Sequence, residues 1–249
     1  MKIVKLSVRN SPSSGFSLIE VMIALIILLI VSAAVFQVLN LATERSSTEQ
    51  TKLDMFQEAR EFMDQMSRDL RLAGYPNARN FAPSILPEPP SIDRRVAVGI
   101  VKIAKDELWF EAGLEIDGTV PKVSIIRYYL DPSTSDNCPC LKRSQVDKKN
   151  GNPYTGQDDP VYETEVQGVT NPNGEIFTAY NNAVLQTLPL NFNSNASAIA
   201  GLDTIQAIVS LQAATVDPKT RKKPTASLVT TVRLNNCSLA ATAQQTSCY

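Results

Sequence analysis

Residues Val21 to Thr43 are 23 consecutive positions without a charged side chain. As a helix rising 1.5 Å per residue they would extend roughly 34 Å, enough to cross a hydrocarbon core of about 30 Å. The sequence therefore predicts a membrane anchor. Glu20 stands immediately before this run, and a carboxylate at that depth is costly unless it meets a partner. In the first turn of a helix the positive end of the dipole offsets a little of that cost, and a neighbour's cation would offset more. Lys2, Lys5 and Arg9 precede the span and a long polar stretch follows it. By the positive-inside rule the leader faces the cytoplasm and the rest of the chain lies outside.

The helix pattern does not stop at the membrane. From Phe16 to Ala73 there is neither Gly nor Pro, and then Gly74, Tyr75 and Pro76 arrive together, a helix C-terminus written in sequence. One helix of roughly 85 Å is implied. Its outer half carries Leu53, Phe56, Met63, Met66, Leu70 and Ala73, with Ala59 and Phe62 beside them, which predicts one apolar face packed on a domain. Glu49, Glu58, Glu61, Gln65, Arg68 and Asp69 are expected on the solvated face.

Beyond the helix, Asn77 to Arg95 is proline-rich and reads as an extended connection. The pattern then changes to period two. Strands are expected at 96–104, 107–112, 123–130, 140–146, 161–169, 176–180, 204–214 and 226–234, from β-branched and aromatic enrichment between turn residues. Asn173-Gly174 is a hairpin signal between the fifth and sixth of these. Asp131 to Asn137 would join the third and fourth. Asp147 to Pro160 reads as a surface loop, and 181–201 as irregular. A long helix followed by an antiparallel sheet is an α+β fold, with the helix laid on one sheet face.

Composition removes several function classes. The chain has no histidine, so the usual general base and the commonest metal ligand are missing. It has no G-x-S-x-G, no HExxH and no Gly-rich phosphate loop, and no catalytic residue or cofactor is expected. The net charge is −1, and −4 once Lys2, Lys5 and Arg9 are removed with a leader, which argues against nucleic-acid binding in bulk. The basic tip Asp217 to Lys223 is read as a solubility feature. Asp131, Ser133 and Ser135 alternate as calcium ligands do, yet the Gly and closing Glu of such a loop are absent.

Cys138, Cys140, Cys237 and Cys248 all fall in the exported part, where disulfides persist. A bridge from Cys237 to Cys248 would tie down an otherwise loose C-terminus. Cys138 and Cys140 flank Pro139, where a bridge closes a tight ring, and crossed pairings remain open. A metal site would need ligands that this pair alone does not supply.

Gly15 followed by Phe16-Ser17-Leu18-Ile19-Glu20 resembles the type IV prepilin signal, G-F-x-x-x-E. That resemblance implies cleavage between Gly15 and Phe16 by a prepilin peptidase, N-methylation of Phe16, and docking of Glu20 beside the amine of an adjacent protomer. An ordinary signal peptide would take Val21 to Val31 as its apolar region and cut near Ser32-Ala33-Ala34. Such a reading explains neither Glu20 nor the helix beyond, and a plain uncleaved anchor leaves the Gly-Phe-x-x-x-Glu order to chance. The resemblance further implies a leader over 1–15, a transmembrane helix half over 16–41, an amphipathic half over 42–76 and a periplasmic β-sheet domain over 77–249. The expected location is the bacterial inner membrane, crossed once, with incorporation into a pilus. Implied partners are the prepilin peptidase, major and minor pilins and the inner-membrane assembly platform.

Ser67 to Tyr75, SRDLRLAGY, resembles the end of the long helix in PilW-type minor pilins, and Leu228 to Asn235, LVTTVRLN, their final strand. Arg127 to Asp131, RYYLD, with Leu141-Lys142-Arg143, is similar to a hairpin shared by those pilins and the J-type pseudopilins of type II secretion. The function implied is that of a minor pilin priming or capping pilus assembly. Alternatives are a J-type pseudopilin, or a tip adhesin or DNA-binding subunit that uses the loops 147–160 or 217–223. Many major pilins carry a helix-breaking Pro in the lower helix; this chain has none there.

Overall fold

A computed structural model describes residues 15–117, 120–134, 138–214, 216–217 and 220–235. It divides into two units, Met1–Glu49 and Gln50–Tyr249. Helix α1 covers Leu18–Leu72, two residues short of the expected start and one short of the expected end. In the first unit its large apolar side chains, from Leu18 to Leu41, are exposed. An 18-residue window there reaches a mean hydropathy of 3.0, so by length and composition the helix can cross a membrane.

In the second unit α1 is amphipathic, and its buried side is Ala59, Phe62, Met63, Met66, Leu70 and Ala73, with Met55 packed against the same core. Met55, Ala59, Phe62, Met66 and Ala73 recur at helical spacing and set the phase of the stripe. Leu53 and Phe56, expected on this face, fall off that phase and are 60% and 46% exposed. Position 69 falls on it, which is why Asp69, expected in solvent, is buried instead. The helix stops where expected: Gly74 takes φ 81°, the left-handed conformation that closes helices. The connection that follows is not extended throughout, since its prolines open short 3-10 turns at Pro83–Ile85 and Pro90–Ile92, after a first turn at Ala78–Asn80 capped by Asn77.

Among the described residues ten strands follow: β1 Ile100–Ile103, β2 Glu107–Asp117, β3 Val120–Asp131, β4 Cys140–Asp147, β5 Glu163–Gln167, β6 Phe177–Asn181, β7 Val184–Leu185, β8 Leu190–Asn191, β9 Thr204–Gln212 and β10 Thr225–Arg233. The order in one sheet is β5-β4-β3-β2-β1-β8, and in a second β10-β9-β6-β7. All pairings are antiparallel. The α+β class is as expected, with the strands shared between two sheets. One core joins helix and sheets: Phe62, Met66 and Leu70 meet Phe110, Ile126 and Tyr128 from the first sheet and Ile205, Val209 and Val232 from the second. The Phe62 ring meets Tyr128 edge-on, with centroids 5.5 Å apart.

Asn173-Gly174 is not a hairpin. Both residues take positive φ, 56° and 67°, so the local turn chemistry is obeyed. The strands on either side nevertheless belong to different sheets: β5 pairs with β4, and β6 with β9. The chain has changed sheets before the turn, because Val169 bridges Leu211 and the Thr170 amide donates to the Ser210 carbonyl. The stretch 181–201, expected to be irregular, holds β7, β8 and a five-residue helix α2, Ala196–Ala200. Two-residue strands are too short to leave a periodic signal.

The loop after β4 also departs from expectation. Lys148, placed by sequence in a surface loop, has a fully buried side chain 2.7 Å from the equally buried Glu111. Its ammonium also donates to the Ser91 and Val96 carbonyls, at 2.9 Å and 2.7 Å, which satisfies all three donors. This knot ties the proline-rich connection and the β4 exit to the middle of β2.

Candidate functional site

The residues singled out at the N-terminus lie on an open surface. Nothing comes within 4 Å of where a Cβ on Gly15 would sit, and Phe16 is 81% exposed. A peptidase therefore meets no obstacle at the Gly15-Phe16 bond from the described residues. The Ser17 carbonyl accepts from the Glu20 and Val21 amides at 3.0 Å and 3.2 Å, and these bonds open the helix. Glu20 is consequently in the first turn, exposed, and leads directly into the apolar run. There the unsatisfied amides of the helix start present positive potential to its carboxylate. A free α-amine on Phe16 would lie four residues ahead of Glu20 in sequence, in a segment with no internal cation between Phe16 and Thr43.

In the second unit several buried polar groups are paired with one another, while Glu111 Oε1, Arg127 Nε, Ser144 Oγ and Thr178 Oγ1 have no hydrogen-bond partner among the described residues. Asp69 Oδ2 accepts from the Tyr128 hydroxyl at 2.8 Å and from Arg143 Nη2 at 2.9 Å. Burial, followed by the Asp69 charge, pushes the Tyr128 hydroxyl well above its ordinary pKa. Burial also raises the Glu111 carboxyl against the pull of the Lys148 ammonium. These buried pairs hold elements together.

Cys138 and Cys140 form a disulfide across Pro139. Asp131 lies close enough to their sulfurs to complete a three-ligand cluster. The sulfurs are bonded to each other, however, and the Asp131 carboxylate accepts from Lys142 Nζ at 2.6 Å and the Ser133 amide at 2.9 Å. Hydrogen bonding from Lys142, then from Ser133, holds Asp131 down at about 2. Cys237, Cys248 and Ser135 lie outside the described residues. A groove of about 580 Å³ runs between Asp54, Met55 and Glu58 of α1, the Cys138-Pro139 corner and Gln212; no sequence motif marks it.

Residues 10–36 match the model of the prokaryotic N-terminal methylation motif. No curated protein and no solved structure matches the chain. The motif supports a pilin-like protein, and a signal of this type implies processing by the prepilin peptidase and assembly with other pilins. With the one such apolar helix found among the described residues, it supports a membrane-anchored chain that enters a pilus-type filament. It points to a structural rather than a catalytic subunit.

Proposed function

We propose that this protein is a minor pilin of the PilW type, a non-catalytic subunit that primes or caps assembly of a type IV pilus. One observation carries the reading: a methylation motif over residues 10–36 runs directly into a helix, Leu18–Leu72, whose outer turns pack on an antiparallel β domain. The peptidase cuts between Gly15 and Phe16, the new Phe16 amine is methylated, and residues 16–41 hold the subunit in the inner membrane with the domain in the periplasm. Association of such helices side by side covers apolar side chains that are exposed in the single chain. Glu20 pairs with the Phe16 amine of a neighbour, removing two unpaired charges from an apolar environment and fixing axial register. A terminal subunit needs only one such neighbour.

The test is Glu20→Ala in the producing bacterium, with pili counted per cell and the subunit quantified in membranes and in sheared filaments. Normal membrane levels with fewer pili are expected. Normal piliation would overturn the role of Glu20, and normal piliation on deleting the whole gene would overturn the reading as a priming subunit.

A further inference from the structure

Among the described residues the two sheets have four edges, β5, β8, β10 and β7, and these are not treated alike. Edge strands expose unpaired amides and carbonyls, and proteins blunt them with shortness, charge, proline or bulges. β7 and β8 are two residues each. β5 carries Glu163 and Glu165, and its pairing with β4 is broken by a bulge. β10 has none of these devices before its last residue, Arg233. It runs nine residues, pairs with β9 without a register shift from Thr225 to Arg233, and carries no charge before Arg233.

The register shows which backbone groups are free. The Leu234 amide donates to Asp203 and the Pro224 carbonyl accepts from Ala213, so even-numbered residues face β9 and the amides of Thr225, Ser227, Val229, Thr231 and Arg233 point outward. The side chains of these same odd residues are exposed, Val229 at 59%, while the even ones face inward. Ser67 of α1 shares a hydrogen bond with Thr230 at 3.0 Å, so the helix covers the inner face, and among the described residues nothing pairs with the outer edge. Exposed Arg221, Lys222 and Lys223 stand at one end of the neutral stretch and exposed Arg233 at the other.

We propose that the free edge of β10 is a strand-pairing interface, filled in the assembly by an extended neutral segment of another pilin-like subunit with acidic residues at its flanks. The inference rests on the pilin reading above and names the partner chemistry. Main-chain bonds along such an edge supply affinity, and the cationic ends set register by charge. A second copy of this chain does not fit. Antiparallel β10 edges are related by a twofold axis normal to the sheet, which reverses the helix lying on it, so two copies would enter their domains from opposite sides.

The experiment places a photoreactive benzophenone amino acid at position 231 of the full chain in the producing bacterium, and identifies joined peptides and the Phe16 terminus by mass spectrometry. The expected product joins position 231 to a neutral run of a different chain that itself carries a methylated N-terminus. Val229→Pro removes one outward amide without touching the β9 ladder, and Val229→Lys keeps every backbone donor but adds a charge. Each should lower the product by about tenfold, the equivalent of a net hydrogen bond, while Val229→Thr leaves it unchanged. Three results would overturn the inference while Phe16 is methylated: no product, a product with this same chain or a non-pilin, or a product indifferent to both variants. An intact leader would remove both the inference and the reading beneath it.

Discussion

Two stretches of the same helix solve opposite problems. Between Leu18 and Leu41 the apolar side chains cover every side and remain exposed, whereas between Ala59 and Ala73 they keep to one stripe and are buried. An all-round apolar helix is stable only in lipid or among other helices, while a striped one needs a single surface. The first stretch thus declares an environment that the chain does not supply, and the second declares one that it does. Function follows the same division: the N-terminal stretch carries the processing signal, and the domain carries packed, internally paired charges.

The largest expected effect breaks the first stretch without touching the second. Gly15→Asp should abolish processing, so that intact precursor replaces the methylated Phe16 start in a mass spectrum, while the domain unfolds at an unchanged temperature. A start near Ala34 in the wild type would instead mark an ordinary exported protein.

The converse breaks the domain and spares the anchor. Lys148→Met leaves the fully buried Glu111 carboxyl without its cation and should cost about 3–5 kcal/mol in denaturant unfolding, with normal processing and membrane insertion. Asp69→Ala should act in the same direction by stranding Arg143.

A matched pair on α1 sharpens the comparison. Met66→Ala, at a site with no exposure, should destabilise the domain by about 2–5 kcal/mol. Leu53→Ala, at a site 60% exposed, should stay within about 0.5 kcal/mol. Equal effects would mean that the stripe has been phased wrongly.

The smallest effect is a titration. Asp131 has its carboxyl held down at about 2 by Lys142 and Ser133, so its contribution is present above the ordinary carboxylate range and is lost as pH falls through about 2. In Lys142→Gln, an NMR titration of this carboxyl should move up toward the ordinary value, and an unmoved midpoint would remove Lys142 as the main cause.

Much of this was legible in the residues. The anchor, the helix end at Gly74 and the eight longer strands follow from local period and turn chemistry, because each depends on residues within a turn or two of one another. The N-terminal signal was equally legible, since Gly15, Phe16 and Glu20 sit within six positions.

What the sequence left open depends on contacts between distant positions. Whether Asn173-Gly174 turns a strand back on itself or hands the chain to another sheet was decided at Val169 by its bridge to Leu211. Asp69 and Lys148 look like surface charges until Arg143, 74 positions away, and Glu111, 37 positions away, are brought beside them. The open edge of β10 is likewise invisible in its own residues, since any strand reads the same until its neighbours are known. Local sequence fixes backbone conformation through short-range sterics and hydrogen bonding, while the burial of a charge and the exposure of an edge are set by which surfaces the folded chain places against them.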